Sequence, residues 1–248
     1  MSQTVDRALA LLERMAVEPQ SLGMLAEHLG VHKSTALRLA QSLERAGIAR
    51  RGPDGLYTPG TRLLSIASRV LDTFDIRDIA RSHLSKLNQE TGHTLHLASL
   101  VDRDVIYIDK YESTSSIRMY SQIGKTALLH ASGVGKVILA FQPELLLDDI
   151  LSNIDFQRYT PQTLADRDSL LAELRAIKAR GYAFDLGEFE EIILCIAAPI
   201  RSADGSVSSA VSVSVPKPLV SLDDLKALLP RLLEVTDAIS RDCGWIRP

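Results

Sequence analysis

The sequence predicts an α+β protein: a winged helix-turn-helix at the N-terminus, then a larger unit built on an antiparallel sheet. Three observations carry this. Residues 21–59 hold two short helical apolar patterns separated by a glycine and followed by a small hairpin. Residues 94–111 and 192–215 each hold two β-branched runs around a polar turn. Helical patterns lie between and after those hairpins, as in α+β domains.

Val5, Ala8, Leu11, Leu12 and Met15 mark a first helix. Ser21 suits the N-cap of a second, with Leu22, Leu25, Ala26 and Leu29 apolar. Gly30 fits a left-handed stop. Val31 begins the turn into a third helix, whose inward face is Ala36, Leu39, Ala40 and Leu43. Lys33, Ser34, Thr35, Leu37, Arg38 and Gln41 then lie on or beside its outward face. Gly47 ends it. Ile48–Arg51 and Leu56–Thr58 read as strands around Gly52-Pro53-Asp54-Gly55, which puts Arg50 and Arg51 on a wing. A helix of this size enters the major groove of double-stranded DNA, and a basic wing reaches the phosphates alongside.

A plain three-helix packing unit shows much of the same pattern, so charge has to arbitrate. Residues 32–51 hold Lys33, Arg38, Arg45, Arg50 and Arg51 against one acidic residue, Glu44. Residues 1–70 hold nine Lys/Arg and six Asp/Glu, a net of +3; the chain is −3 overall, which leaves −6 on residues 71–248. A basic head on an acidic body suits a protein that meets nucleic acid at one end.

Domain limits follow at 1–59 for the winged helix, 60–74 for a linker helix and 75–248 for the second unit. Residues 61–74 make that linker helix, with Leu63, Leu64, Ile66, Ala67, Val70 and Leu71 apolar. Asp75 caps the next helix, 76–91, which stops at Gly92. Thr94–Val101 and Val105–Tyr111 are strands, and Ile117–Tyr120 is a third. Helices are expected near 134–142, 143–151 and 167–179. Ile192–Ile200 and Val207–Val215 are strands around Ala203-Asp204-Gly205. Ser221 and Asp224 form a capping box for one C-terminal helix to about 241. No apolar run nears the ~20 residues of a membrane span, and no signal peptide is evident at the N-terminus. With two distant cysteines, Cys195 and Cys243, the chain reads as cytoplasmic.

Ser132-Gly133-Val134-Gly135-Lys136 precedes an apolar helical run. Glycines admit a ligand close to the backbone, and a helix N-terminus offers free N–H groups to a carboxylate. An ordinary loop-to-helix junction carries the same pattern. It is no phosphate-binding P-loop: His130 stands where its first glycine belongs, and Val137 where Ser or Thr is needed. Ser212 and Ser214 share one face of a strand, with Val211, Val213 and Val215 on the other. Glu188 and Glu191 read as a solvated acidic turn.

LAEHLGVHKSTALRLAQSLERAGI, RMYSQIGKTALLHASGVGKVILA and RGYAFDLGEFEEIILCIAAPIRSADGSVSSAVSVSVP together resemble the IclR family of bacterial transcriptional regulators, in the right order and over nearly the whole chain. RMYSQIG and the preceding IDKYES look most like regulators of pectin catabolism that sense 2-keto-3-deoxygluconate. The resemblance implies a GAF/PAS-like effector domain, operator DNA and a small keto or hydroxy acid as partners, and assembly as a homodimer or homotetramer. It places Met119, Gly133, Val134, Asp185, Cys195, Ser212 and Ser214 at the effector. A carboxylate would then sit on Gly133 and Val134. Asp185, which repels a carboxylate, would take hydroxyls at the other end. No HExxH, CxxC or Ser/His/Asp signature is present, so no catalytic set, cofactor or metal is expected. The alternative is an enzyme acting on a keto or hydroxy acid with a fused interaction domain.

Overall fold

A computed structural model of the chain describes residues 3–71, 74–115 and 119–247. It divides into two compact units, 1–74 and 75–248. In the first, α1 (Gln3–Val17), α2 (Leu22–His28) and α3 (Lys33–Arg45) precede the hairpin β1 (Ala49–Arg51) and β2 (Tyr57–Pro59). Ser21 caps α2 as expected, and Gly30 and Gly47 adopt positive φ. Leu11, Met15, Leu25, Leu39, Ala40, Ala49 and Tyr57 form one buried core. Val5, read as part of the apolar face, is exposed. The helix after the wing, α4, runs Arg62–Leu71; the expected 61–74 includes residues 72–73, outside the described residues, and Phe74 is not helical.

The second unit is a six-stranded antiparallel sheet, in the order β5-β4-β3-β8-β7-β6, with helices on both faces. Its strands are β3 (Thr94–Val101), β4 (Asp104–Tyr111), β5 (Thr126–Ala127), β6 (Ala183–Asp185), β7 (Ile193–Ile200) and β8 (Ser209–Pro216). Its helices are α5 (Ile76–Thr91), α6 (Gly133–Ala140), α7 (Glu144–Leu151), α8 (Arg167–Arg180), α9 (Leu222–Ala227) and α10 (Leu229–Asp242). The single C-terminal helix of the sequence reading is therefore two. Pro230, in the first turn of α10, has no N–H to continue a helix arriving from α9. Half of the expected strand Ile117–Tyr120, residues 117–118, lies outside the described residues; Met119 and Tyr120 lie outside any strand.

Strand alternation gives the sheet two unlike faces. Leu95, Leu97, Ile196, Val211, Val213 and Val215 pack with α5, α9 and α10 into a large-residue core. The other face carries Ala98, Ala183, Ala197 and Ala210 beneath α6 and α8. Those small side chains let α6 come close: a Cβ added at Gly133 would stand 3.0 Å from Cys195 Sγ and 3.1 Å from Ala197 Cβ. At one end this face turns polar. Thr94, Ser214, Cys195 and Asp185 align across the four strands, and so do His96, Ser212, Ala197 and Ala183.

Candidate functional site

Two groups of side chains stand out, one in each unit. In the head, His32 caps α3 by accepting from Ser34 N at 3.3 Å, an uncommon cap that sequence reasoning missed. Ala36, Leu39 and Ala40 are buried, which turns Lys33, Ser34, Arg38 and Gln41 outward; Thr35 and Leu37 are half-buried beside them. Arg50 and Arg51 are exposed on the wing. Arg50 Nε donates to Thr58 Oγ1 at 3.1 Å, Arg51 Nε donates to Gly55 O at 3.2 Å, and the Arg51 guanidinium lies over the Tyr57 ring. The wing arginines are thus braced on their own hairpin. Lys33 and Arg38 have no ion-pair partner among the described residues.

In the second unit a cavity of about 360 Å³ opens between the polar end of the sheet and α6. Met119, Gly133, Val134, Asp185, Cys195, Ser212 and Ser214, scattered over 96 positions of the chain, all line it. Ser132 caps α6 by accepting from Gly135 N at 3.1 Å, and Lys136 N donates to Ser132 O. The N–H groups of Gly133 and Val134, at the first turn, have no acceptor among the described residues and carry the partial positive charge of the helix end.

Ser212 and Ser214 do not face solvent. Both are buried, and both approach His96 Nδ1, at 3.3 and 3.5 Å. His96 Nε2 lies 2.6 Å from Ser121 Oγ on the wall formed by residues 119–125. Lys110, opposite His96 in register, donates to the carbonyls of Met119 and Ser121 at 3.1 and 2.8 Å. Burial, reinforced by the Lys110 charge, pushes the His96 imidazole down to about 3. Burial pushes the Cys195 thiol up to about 12, and it raises the Tyr107 phenol as well.

Asp185 lines the cavity and is also tied to its own loop. Its Oδ1 accepts from Gly187 N at 3.1 Å and Glu188 N at 2.8 Å, so one oxygen caps its own loop. Burial raises its pKa against the pull of those amides. Glu188 is not on a solvated turn: it is buried against Lys136, whose Nζ donates to both carboxylate oxygens and to Phe184 O at 2.7 Å. A lysine at this depth needs that partner. Burial still pushes Glu188 up to about 7, with Lys136 opposing. Thr160 and Thr163 donate to Gly187 O and Glu188 O, and Tyr159 meets Phe189 edge-on with ring centroids 5.1 Å apart. Sequence reasoning found none of these supports. A buried lysine four residues after a helix cap carries no local signal, and His96 is a single histidine on an apolar strand.

A winged helix in one unit and a polar-floored pocket in the other define a DNA-binding transcriptional regulator with a C-terminal ligand-binding domain. The chain belongs to the IclR family: residues 4–53 match the IclR helix-turn-helix domain and residues 68–241 the C-terminal domain of the bacterial transcriptional regulator IclR. The HTH-type transcriptional regulator XynR of Escherichia coli is 32% identical over 246 residues, covering 98% of each chain. The HTH-type transcriptional regulator KdgR of Dickeya chrysanthemi is 30% identical over 231 residues, 92% of this chain and 76% of its own. The crystal structure of the Thermotoga maritima IclR matches 98% of this chain and 99% of its own, at 34% identity and a TM-score of 0.66. Among the described residues no helix is long and apolar enough to cross a membrane, and no group of three metal-type ligands occurs.

Proposed function

We propose that the protein represses a catabolic operon. It binds operator DNA through the outward face of α3 and the wing, as a dimer or dimer of dimers, and responds to a small keto or hydroxy acid. 2-Keto-3-deoxygluconate is the first candidate. One observation carries the ligand class: the unpaired amides of Gly133 and Val134 and the buried hydroxyls of Ser212 and Ser214 line one cavity. Amides at a helix end suit a carboxylate, and buried hydroxyls need polar partners. At about 360 Å³ the cavity lies near the low end of the roughly 300–1,000 Å³ typical of small-molecule sites. The likeness to KdgR supports the sugar-acid choice.

An enzyme acting on the same acid is disfavoured by the pocket's own groups. A base held near 3 and a thiol held near 12 are both unready at neutral pH. Calorimetry with 2-keto-3-deoxygluconate and with an aromatic acid tests the ligand. Heat with the first and about 1 kcal/mol weaker binding in Ser214→Ala are expected. Heat with the aromatic acid alone ends the sugar-acid reading. A gel shift at two salt concentrations tests the DNA half; no salt-dependent duplex binding returns the enzyme reading.

A further inference from the structure

The first turn of α3 hangs on a cap that a proton can remove. Ser, Thr, Asp and Asn lead at such positions, because a short side-chain oxygen accepts from the free amides and keeps doing so at any neutral pH. Here the acceptor is the His32 ring. At φ −66° and ψ 146° His32 stands just outside the helix, with Nδ1 3.3 Å from Ser34 N and 2.9 Å from Ser34 Oγ. An amide only donates, so this cap exists only while Nδ1 keeps its lone pair. A proton on Nδ1 sets two N–H groups against each other, beside the positive end of the helix. Histidine is also the side chain whose ordinary titration lies between about pH 5 and 8. His32 is exposed and forms no ion pair among the described residues. The charged groups flanking it are Glu27 and His28 at the end of α2 and Lys33 at the start of α3. Arg14 on α1 is paired with Glu18, and Arg50 and Arg51 on the wing are bonded to Thr58 and Gly55.

We propose that His32 is a positioning residue that makes the sequence selectivity of the head depend on protons. Neutral His32 holds the first turn of α3, where Lys33 and Ser34 are exposed. Protonated His32 releases that turn and adds a cation beside it. The first change weakens readout of base edges, which needs a fixed helix. The second strengthens attraction to phosphate, which does not. Acid therefore narrows the gap between a preferred duplex and any other, and does not weaken all binding alike. This rests on α3 as the reading helix, as proposed above, and adds a device that acts on it.

The test titrates the full chain onto two duplexes, the tightest recovered by in vitro selection and a scrambled one of equal length. Each is measured at about pH 8 and about pH 5.5, either side of most of the ordinary imidazole range. In wild type the affinity ratio should fall about two- to thirtyfold at the lower pH, the loss of one cap. The salt slope on the scrambled duplex should steepen by about one. His32→Asn keeps a strong cap that does not titrate, and should hold both ratio and slope. His32→Ala has no cap and should show the low ratio at both pH values. His28→Asn removes the only other histidine of residues 1–74 and should behave as wild type. Every other titrating group is common to wild type and His32→Asn, so their difference isolates the ring, with circular dichroism confirming the fold at each pH. A wild-type ratio that does not move, or that moves equally in His32→Asn, overturns the proposal and leaves α3 as the reader. Selection that recovers no preferred duplex, or binding without salt dependence, overturns α3 as the reader and the proposal with it. In the free protein, nitrogen NMR at about pH 8 should find His32 Nδ1 bare; a protonated Nδ1 there overturns the cap with no DNA present.

Discussion

His96 shows how burial, with a like charge nearby, sets a residue's chemistry. Its imidazole is buried among three hydroxyls, with the Lys110 charge nearby and no carboxylate in contact, and titrates near 3 in place of 6.5. Between those values the unfolded chain holds a proton on this residue that the folded chain does not. Stability therefore falls as pH drops from about 6.5 toward 3. His96→Asn removes that titration and should flatten the loss. Trp245, the one tryptophan, lies in the same unit and reports its urea unfolding at pH 7 and 5. Parallel pH dependence in variant and wild type would show that the ring titrates alike in both states. How far the site can be read from sequence divides at this scale. Ser212 and Ser214 are marked by period-two spacing, and the family resemblance names the other five pocket residues. His96, Lys110 and the Lys136–Glu188 pair depend on strand register and on a helix crossing the sheet, and neither leaves a local trace.

At the scale of elements, segments with a local signal of cap, turn or alternation read correctly, and those without one did not. α5 has its cap, Asp75, and its glycine stop, Gly92, where the sequence places them. β5 and β6, two and three residues long, are too short for alternation to be seen and exist only because β4 and β7 pair with them. The glycines of α6 mean something different from the sequence reading. They let the helix pack closely on the sheet and on the loop before it. A Cβ at Gly133 faces Cys195 and Ala197, so a large side chain there wedges helix from sheet and does not simply plug the pocket. At Gly135 a Cβ would stand 2.8 Å from Leu128 O and from Ser132 Oγ. Gly135→Ala should cost about 1–3 kcal/mol, as overpacking does. Gly23, in α2, is the counter-case: its Cβ meets only ordinary contacts, 3.7 Å and beyond. Gly23→Ala should be neutral or stabilising by up to about 1 kcal/mol, from helix propensity. Thermal unfolding of both variants checks the opposite signs, and equal shifts would refute the packing account.

Charge is organised over the whole molecule: +3 on residues 1–70 and −6 on the remainder. The net positive charge lies on the head, so the contacts to DNA should separate by mutation there. Arg38 is exposed in mid-α3; on the reading proposed above, Arg38→Ala should cost about 1–3 kcal/mol on operator and little on random duplex. Arg51 is braced on the wing; on the same reading, Arg51→Ala should weaken all sequences alike and lower the salt slope by about one. A single α3 of this size reaches too few base pairs to pick a site from a genome, so the expected arrangement is two heads on a palindrome. α4 offers an apolar surface for pairing them, with Leu64 and Ile66 exposed. Light scattering at micromolar concentration should therefore find a dimer or larger assembly, and Leu64→Lys with Ile66→Lys should shift it toward monomer and loosen operator binding. A wild-type monomer that still binds operator tightly would mean that one head suffices, and the assignment of α3 as the main reader would fall with the dimer.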